Sequence, residues 1–85
     1  MVNALPLEDD KVLILEFVLT SQHNVVGKSL ADINISNIGA ISSILRDDAF
    51  IIPNGQTVLN ENDKVLVVTK TENKKDIMNI FKRKV

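Results

Sequence analysis

The stretch ISSILRDDAFIIP, residues 41–53, decides the fold of this chain. Two apolar runs meet at the pair Asp47-Asp48, which has the length of the two-residue loop of a β-hairpin. Pro53 ends the second arm, because proline cannot donate a hydrogen bond to a strand ladder. A third apolar run, residues 65–68, follows a polar turn and is expected to pair beside the hairpin. The sequence therefore predicts a sheet that the rest of the chain covers or closes at an edge.

The segment VLILEFVL, residues 12–19, is rich in β-formers and too short for a typical helix. Because successive side chains of a strand point to opposite faces, the segment divides into two sets. One set is wholly apolar and is assigned to the core: Leu13, Leu15, Phe17 and Leu19. The other is apolar apart from Glu16 and contains Val12, Ile14 and Val18. We expect this second face to be covered by a helix or by a partner subunit.

Strict alternation along the first hairpin arm places Ala40, Ser42, Ile44 and Arg46 on one face. Small side chains at positions 40, 42 and 43 would let another backbone, a helix or a ligand come close to this strand. A helix packed over the strand is the simpler interpretation of the same residues. A bound ligand is the functional interpretation, and both stay open on the sequence.

Two helices are expected beside the sheet. Ser29, with Asp32 three residues later, resembles a capping box and predicts a helix of one or two turns. A second helix is expected after residues 71–73, with an apolar stripe made by Ile77, Ile80 and Phe81. The elements run β-α-β-β-β-α, a small α+β domain with a mainly antiparallel sheet and helices packed on it. Residues 1–10 are interpreted as a leader or linker remnant without secondary structure, and residues 11–85 as the domain.

The composition limits the class of protein. A chain of 85 residues allows one domain, and a core of this size rarely contributes more than about 3–5 kcal/mol of net stability. There is no cysteine to supply a disulfide or a thiolate metal site, so self-association into a homodimer is expected. A net charge of −1, a pI near 5.7 and the absence of Trp and Tyr argue against a nucleic-acid partner. No apolar run approaches the ~20 residues that span a bilayer.

Residues with catalytic or metal-binding potential are few. The three glycines are isolated, so there is no phosphate-binding loop, and no cofactor is evident. His23 is the only histidine and lies in a polar loop, where we expect it to be exposed to solvent rather than to bind a metal. Glu16 has no carboxylate partner in the sequence, and an edge or interface position is its simpler interpretation. The chain is therefore not expected to be an enzyme.

Several short motifs occur in a familiar order: VGKSL at 26–30, ILRD at 44–47, IP at 52–53, TVL at 57–59 and DKVLV at 63–67. This series resembles the TrkA C-terminal domain family, also called the RCK C-terminal domain. The resemblance covers residues 11–82, and the predicted element order agrees with that family's fold. Asp48 and Asn62 stand where the family usually has glycine, and both residue types tolerate turn conformations.

The resemblance implies a cytoplasmic regulatory module at the inner face of the cell membrane, attached to a potassium channel, a potassium-uptake system or another ion transporter. Domains of this family form homodimers and are thought to bind a small molecule or ion near the dimer interface. The expected partners are therefore a second copy of the chain, a membrane transporter and an effector. The family's nucleotide-binding half is not in this chain, so neither NAD nor ATP is expected to bind.

One branch of the family binds cyclic di-AMP through an Asp-x-Arg pair and a following Asn. The positions that align with these residues here are Asn34, Ser36 and Ser42, and none of the three matches. Because the arginine that would bind a phosphate oxygen is missing, weak or no binding of cyclic di-AMP is expected. These three residues mark the predicted ligand site. The alternative is a purely structural dimerisation or docking domain of a transporter, with no ligand.

Overall fold

A computed structural model describes residues 3–84, which form one antiparallel five-stranded sheet with two helices. The strands are β1 (Asn3–Leu7), β2 (Val12–Val18), β3 (Gly39–Arg46), β4 (Ala49–Ile51) and β5 (Lys64–Lys70), and their order in the sheet is β1-β2-β5-β3-β4. The helices are α1 (Leu30–Ile33) and α2 (Lys74–Ile80), the second preceded by a 3-10 turn (Thr71–Asn73). The predicted α+β class is confirmed. Among residues 3–84 no helix has the length and apolarity needed to cross a bilayer.

The predicted hairpin forms in the predicted register. Leu45 lies opposite Phe50, and Arg46 lies opposite Ala49, so Asp47 and Asp48 make the two-residue loop. Both aspartates have positive φ, 49° and 66°, as the hairpin turn that matches strand twist requires. Asn62 also takes the left-handed conformation, with φ 73°. Asp48 and Asn62, the two residues that replace family glycines, therefore adopt the turn conformations that the sequence suggested.

The core lies on one face of the sheet. Leu15, Phe17 and Leu19 are fully or almost fully buried there, as the alternation of the second strand predicts. From α2, the ring of Phe81 stacks on Phe17 with 4.5 Å between ring centroids, and Ile77 is fully buried. Both helices pack on this face, since Leu30 and Ile33 of α1 also contact the core cluster. The opposite face, which we call the open face, has no helix over it within residues 3–84.

The alternation predicted for β3 is wrong, because the strand contains a β-bulge. Ile41 pairs with Val67 and Ser43 pairs with Leu66, so the register shifts between positions 41 and 43. The extra residue, Ser42, interrupts the two-residue period. As a result Ala40 and Ile44 do not share a face, and Ile41 joins Ile44 on the core side.

Residues 3–7 also differ from the prediction. They form β1, which pairs with the whole of β2 and closes that edge of the sheet, although the sequence analysis expected no secondary structure before residue 11. All five residues of β1 are exposed, so the strand is held by its ladder and not by core burial. Pro6 and the acidic turn after it argue against a strand when the sequence is read alone, because proline cannot donate to a ladder. A proline is tolerated in an edge strand, and β1 is such a strand. Whether residues 1–10 serve as a linker in a longer protein stays a prediction.

Asp63, which is fully buried, forms an ion pair with Arg46, whose side chain is 29% accessible. Arg46 Nε donates to Asp63 Oδ1 and Arg46 Nη2 donates to Asp63 Oδ2, both at 2.8 Å, and Arg46 Nη2 also donates to the Val58 carbonyl at 2.8 Å. The backbone N–H of Asn60 donates to Asp63 Oδ2 at 2.9 Å. Burial by itself would raise the pKa of Asp63, but these hydrogen bonds outweigh it and hold the pKa below its usual value. The carboxylate is therefore ionised and satisfied although it is fully buried.

Replacing Arg46 with methionine is expected to destabilise the domain by about 2–4 kcal/mol, because Asp63 would remain buried without its partner. Arg46→Met/Asp63→Asn is expected to cost less than the sum of the single changes, since the second change removes the unpaired charge. Urea unfolding measures these free energies. The matched control is Lys64→Met, which removes a solvent-exposed pair with Glu16 at 3.6 Å and should cost less than 1 kcal/mol, about the most such pairs contribute. Equal losses in Arg46→Met and Lys64→Met would contradict the assignment.

His23 is buried, contrary to the prediction that it is exposed: only 4% of the residue is accessible. The Thr20 N–H donates to His23 Nδ1 at 2.9 Å, which places the proton of the neutral ring on Nε2. The surrounding loop pairs with the end of the chain, since Asn24 N–H donates to the Lys82 carbonyl at 3.0 Å. Burial lowers the pKa of His23, and the nearby Arg83 guanidinium lowers it further. His23 is thus a buried residue of a loop whose backbone, at Gln22 and Asn24, pairs with the C-terminal segment.

Acidification from pH 7.5 to pH 5.5 is expected to lower the melting temperature through His23. Its pKa is lower in the folded than in the unfolded state, so the unfolded chain binds the proton first as the pH falls below about 6.5. His23→Asn keeps an acceptor for the Thr20 N–H but does not titrate, so its melting temperature should change less over this interval. His23 is the only histidine, which makes the comparison direct. The same pH slope in both proteins would rule out His23 as the cause.

Candidate functional site

A shallow hollow of about 240 Å³ lies between α1 and the start of β3. Asn34 and Ser36, two of the three predicted ligand residues, line it together with Gly39 and Gly55. A second hollow of about 330 Å³ lies on the other side of the loop between α1 and β3, and Ser36 and Gly39 line both. We call these the α1 hollow and the β5 hollow, after the elements that border them. The loop that separates them carries the predicted polar groups.

The position of Asn34 follows from the way α1 ends. Ser29 begins the helix, and its Oγ accepts from the Asp32 N–H at 3.2 Å, which confirms the predicted capping interaction. Asn34 ends the helix in the left-handed conformation, with φ 53°, and its N–H donates to the Leu30 carbonyl at 3.1 Å. Asparagine adopts this conformation at low cost. The backbone thereby fixes Asn34 at the rim of the α1 hollow.

The loop after Asn34 is held in place by hydrogen bonds to buried groups. Ile35 is buried, and its carbonyl accepts from the Ile38 and Gly39 N–H groups at 2.8 Å and 2.9 Å. The buried hydroxyl of Thr69 on β5 donates to the Ile38 carbonyl at 2.5 Å. Ser36 therefore stands on a turn whose flanking backbone is held by hydrogen bonds, and the α1 hollow is a preformed feature of the fold.

Ser42, the third predicted ligand residue, does not line either hollow. It is the extra residue of the β3 bulge, and its Oγ donates to the Leu66 carbonyl at 3.4 Å. The structure therefore brings Asn34 and Ser36 together and leaves Ser42 apart from them. That any of the three binds a ligand stays a prediction.

The chemistry of the α1 hollow is neutral and polar. Its lining offers the Asn34 amide and the Ser36 hydroxyl among apolar side chains, and no charged side chain is part of it. A hydroxyl and an amide can donate or accept hydrogen bonds but cannot neutralise a phosphate group. The hollow is also smaller than the ~300–1,000 Å³ typical of small-molecule pockets. Within residues 3–84 no cluster of three or more His, Cys, Asp or Glu side chains is placed to hold a metal ion.

Sequence reasoning missed two glycines, Gly39 and Gly55, that line the α1 hollow. Gly39 meets β5 closely: a Cβ added there would lie 2.7 Å from the Val68 carbonyl oxygen. Gly55 faces Ala31 across the hollow, and an added Cβ would lie 3.6 Å from the Ala31 Cβ. The available signal was Gly39, which stands between Ile38 and Ala40 at the start of a strand, because a glycine in a strand can mark a close approach of two backbones as well as a turn.

The comparison with known proteins identifies the family. The TrkA-C domain family matches residues 14–82. The chain belongs to this family, and the resemblance seen in the sequence is confirmed.

The relatives found among characterised proteins are components of potassium uptake systems by name. A Trk system potassium uptake protein TrkA homolog 1 of Methanosarcina mazei is 31% identical over 84 residues, which are 99% of this chain and 21% of that protein. A TrkA homolog of Archaeoglobus fulgidus is 35% identical over 71 residues, 84% of this chain and 16% of that protein. The chain thus spans about a fifth of the length of these relatives.

Gly39→Ala is expected to destabilise the domain by about 1–3 kcal/mol, the usual cost of overpacking, because the new methyl group would press on the β5 backbone. Gly55→Ala is the matched control. Its methyl group would meet Ala31 at an ordinary contact distance, so the change should be neutral or slightly stabilising. Thermal unfolding compares the two variants. Similar melting temperatures for both would contradict the close approach of β3 and β5 at Gly39.

Proposed function

We propose that this chain is a regulatory, ligand-sensing dimerisation domain of a potassium transport system, and that it acts on the cytoplasmic side of the membrane through a transporter partner. What supports this is its membership of the TrkA-C domain family and its similarity to proteins named for Trk potassium uptake. Because the chain matches a fifth of those proteins, the transporter contact and the transported ion are part of the proposal. The neutral lining of the α1 hollow also favours a regulatory role over catalysis.

The proposed effector site is the α1 hollow, with Asn34 and Ser36 as its polar groups. Its volume of about 240 Å³ favours a small molecule or an ion over a dinucleotide. A homodimer that places a second copy near this hollow would enclose an effector more completely. The effector then regulates by binding one arrangement of the subunits more tightly than the other. The difference in its two affinities limits how far it can shift the equilibrium.

NAD, ATP and cyclic di-AMP are not proposed as effectors. Each carries phosphate groups, which proteins bind with arginine, lysine or glycine-rich backbone loops. No arginine or lysine side chain lines the α1 hollow. Position 36, where one branch of the family has arginine, is serine in this chain.

The alternative function is purely structural: a dimerisation or docking domain of a transporter, including an anion channel or antiporter, that binds no ligand. One specific observation favours it. Large apolar side chains are exposed on the open face, among them Phe50, with 69% of its surface accessible. Exposed apolar surface of this kind marks interaction sites more often than ligand pockets.

Thermal unfolding with potassium, sodium, calcium, cyclic di-AMP, ATP and NAD tests the sensor function. A ligand that binds only the folded state stabilises it by about 2.7 kcal/mol at a hundredfold excess over its Kd. For a domain of this size each kcal/mol raises Tm by about 4–8 °C. We expect one of the ions to raise Tm by about 10 °C or more at saturation, and the phosphate-containing ligands to leave it unchanged.

The site is tested with variants that preserve its backbone. Asn34→Gly removes the amide and still allows the left-handed conformation, and Ser36→Ala removes the hydroxyl. Both should reduce the ligand-induced shift in Tm, while Ser42→Ala, outside the hollow, should leave it intact. No shift with any of the ligands, combined with a Tm that rises with protein concentration, would support the structural dimer instead.

A further inference from the structure

A third hollow, of about 260 Å³, lies between α1, α2 and the loop that precedes α1. We call it the α2 hollow, and it shares no lining residue with the α1 hollow or the β5 hollow. Its apolar part is aliphatic: Val25 is buried, and Ile33 and Ile80 pack against the core cluster. Its polar part has two amides and two charged side chains, all exposed or half-buried: Asn24, Lys28, Asp32 and Asn79. The hollow therefore has an apolar base and a polar rim.

The backbone around this rim is held by hydrogen bonds. The Lys28 carbonyl accepts from the Leu59 N–H at 3.0 Å. The Asn24 N–H donates to the Lys82 carbonyl, also at 3.0 Å. Asp32 lies in α1, where the helix cap accepts from its N–H at 3.2 Å. These residues therefore keep their positions without a ligand, so a ligand that binds here has little backbone to order.

The α2 hollow has two opposite charges on its rim. Lys28 and Asp32 do not form an ion pair with each other, since the ion pairs between residues 3 and 84 involve other side chains. Each charge is therefore able to bind an opposite charge from outside. The amides of Asn24 and Asn79 add hydrogen-bond donors and acceptors beside them. A small molecule that meets both charges needs an anionic group and a cationic group of its own.

We propose that the α2 hollow binds a free aliphatic amino acid, with its carboxylate at Lys28, its ammonium group at Asp32 and its side chain on the apolar base. Hydrogen bonds between charged groups are the strongest that such a rim can make. A simple anion would be repelled by Asp32, and a simple cation by Lys28. An uncharged ligand would displace water from both charges without replacing its hydrogen bonds. This site goes beyond the proposed function, which places the effector in the α1 hollow.

The volume of the α2 hollow suits an amino acid with a branched side chain. A cavity of about 150 Å³ already holds benzene. With about 260 Å³, the α2 hollow has room for a molecule as large as leucine. Because Lys28 and Asp32 are exposed, the charged groups of a bound amino acid stay partly in water, which weakens their attraction. We therefore expect a Kd of about 0.1–10 mM, as for a small ligand that buries few atoms.

The ligand chemistry is tested with L-leucine and two blocked forms of it, in ¹H–¹⁵N spectra of the 85-residue chain. Leucine is expected to shift the backbone signals of Asn24, Lys28, Asp32 and Asn79, and the shifts should saturate at millimolar concentration. N-acetyl-L-leucine lacks the ammonium group, and L-leucinamide lacks the carboxylate. Each should bind at least about tenfold more weakly, because one charge of the rim then loses water without gaining a counter-charge.

The residues are tested by removing one charge at a time. Lys28→Met and Asp32→Asn should each raise the Kd for leucine at least about tenfold, because each loses one charge-assisted contact. The matched controls are Lys75→Met and Asp76→Asn on α2, which make the same chemical changes outside the hollow and should leave the Kd unchanged. All four residues are exposed, so none of the changes should prevent folding.

Saturable shifts at the α2 hollow that are lost in Lys28→Met and Asp32→Asn, and kept in both controls, would support the site. No saturable shift with leucine, or equal affinity for leucine and its blocked forms, would overturn it. Shifts confined to residues 34–41 would also overturn it, since they would place the amino acid in the α1 hollow. The melting experiments with ions test the proposed function separately, so either proposal can fail while the other stands.

Discussion

Asp63 is the residue that joins three parts of the fold, through its carboxylate and its backbone carbonyl. Its side chain binds Arg46 at the end of β3 and the Asn60 N–H in the turn before β5. Its backbone carbonyl accepts from the Leu19 N–H, which follows β2. One buried residue thereby sets the relative positions of the three central strands at one end of the sheet. A hydrophobic side chain of similar size would fill the space but would bind neither Arg46 nor the Asn60 N–H.

Local signals were sufficient for most of the sheet. The hairpin loop, the apolar face of β2 and the cap of α1 depend on residues close together in sequence, and each formed as predicted. The failures depend on contacts between distant residues. β1 is stabilised by its ladder with β2, and His23 is buried because the C-terminal segment packs over its loop. No local pattern at either place carries information about the partner that decides the outcome.

The candidate site shows the same division between local and tertiary determinants. Asn34 and Ser36, two of the three predicted ligand residues, line one hollow, because the end of α1 is set by its own capping residues. Ser42 lies apart from them, and the β3 bulge that places it there is seen only when that strand is paired with β5. The hollow is lined by residues of separate segments, among them Gly39 at the start of β3 and Gly55 after β4. A site made by a close approach of backbone segments and small residues is hard to predict from side-chain chemistry, and its lining has no charged side chain with which to bind a phosphate group.

The order of strands in the sheet has a consequence for synthesis of the chain. β5, the middle strand, is the last of the five in sequence, and it pairs with β2 and β3, which both precede it. Until residue 70 has left the ribosome, the two halves of the sheet have no strand to join them. The β1–β2 and β3–β4 hairpins form from local contacts, but isolated hairpins are marginal in water. The sheet is therefore completed only after β5 has been synthesised, and a translation pause before β5 would leave the apolar side chains of the two hairpins exposed.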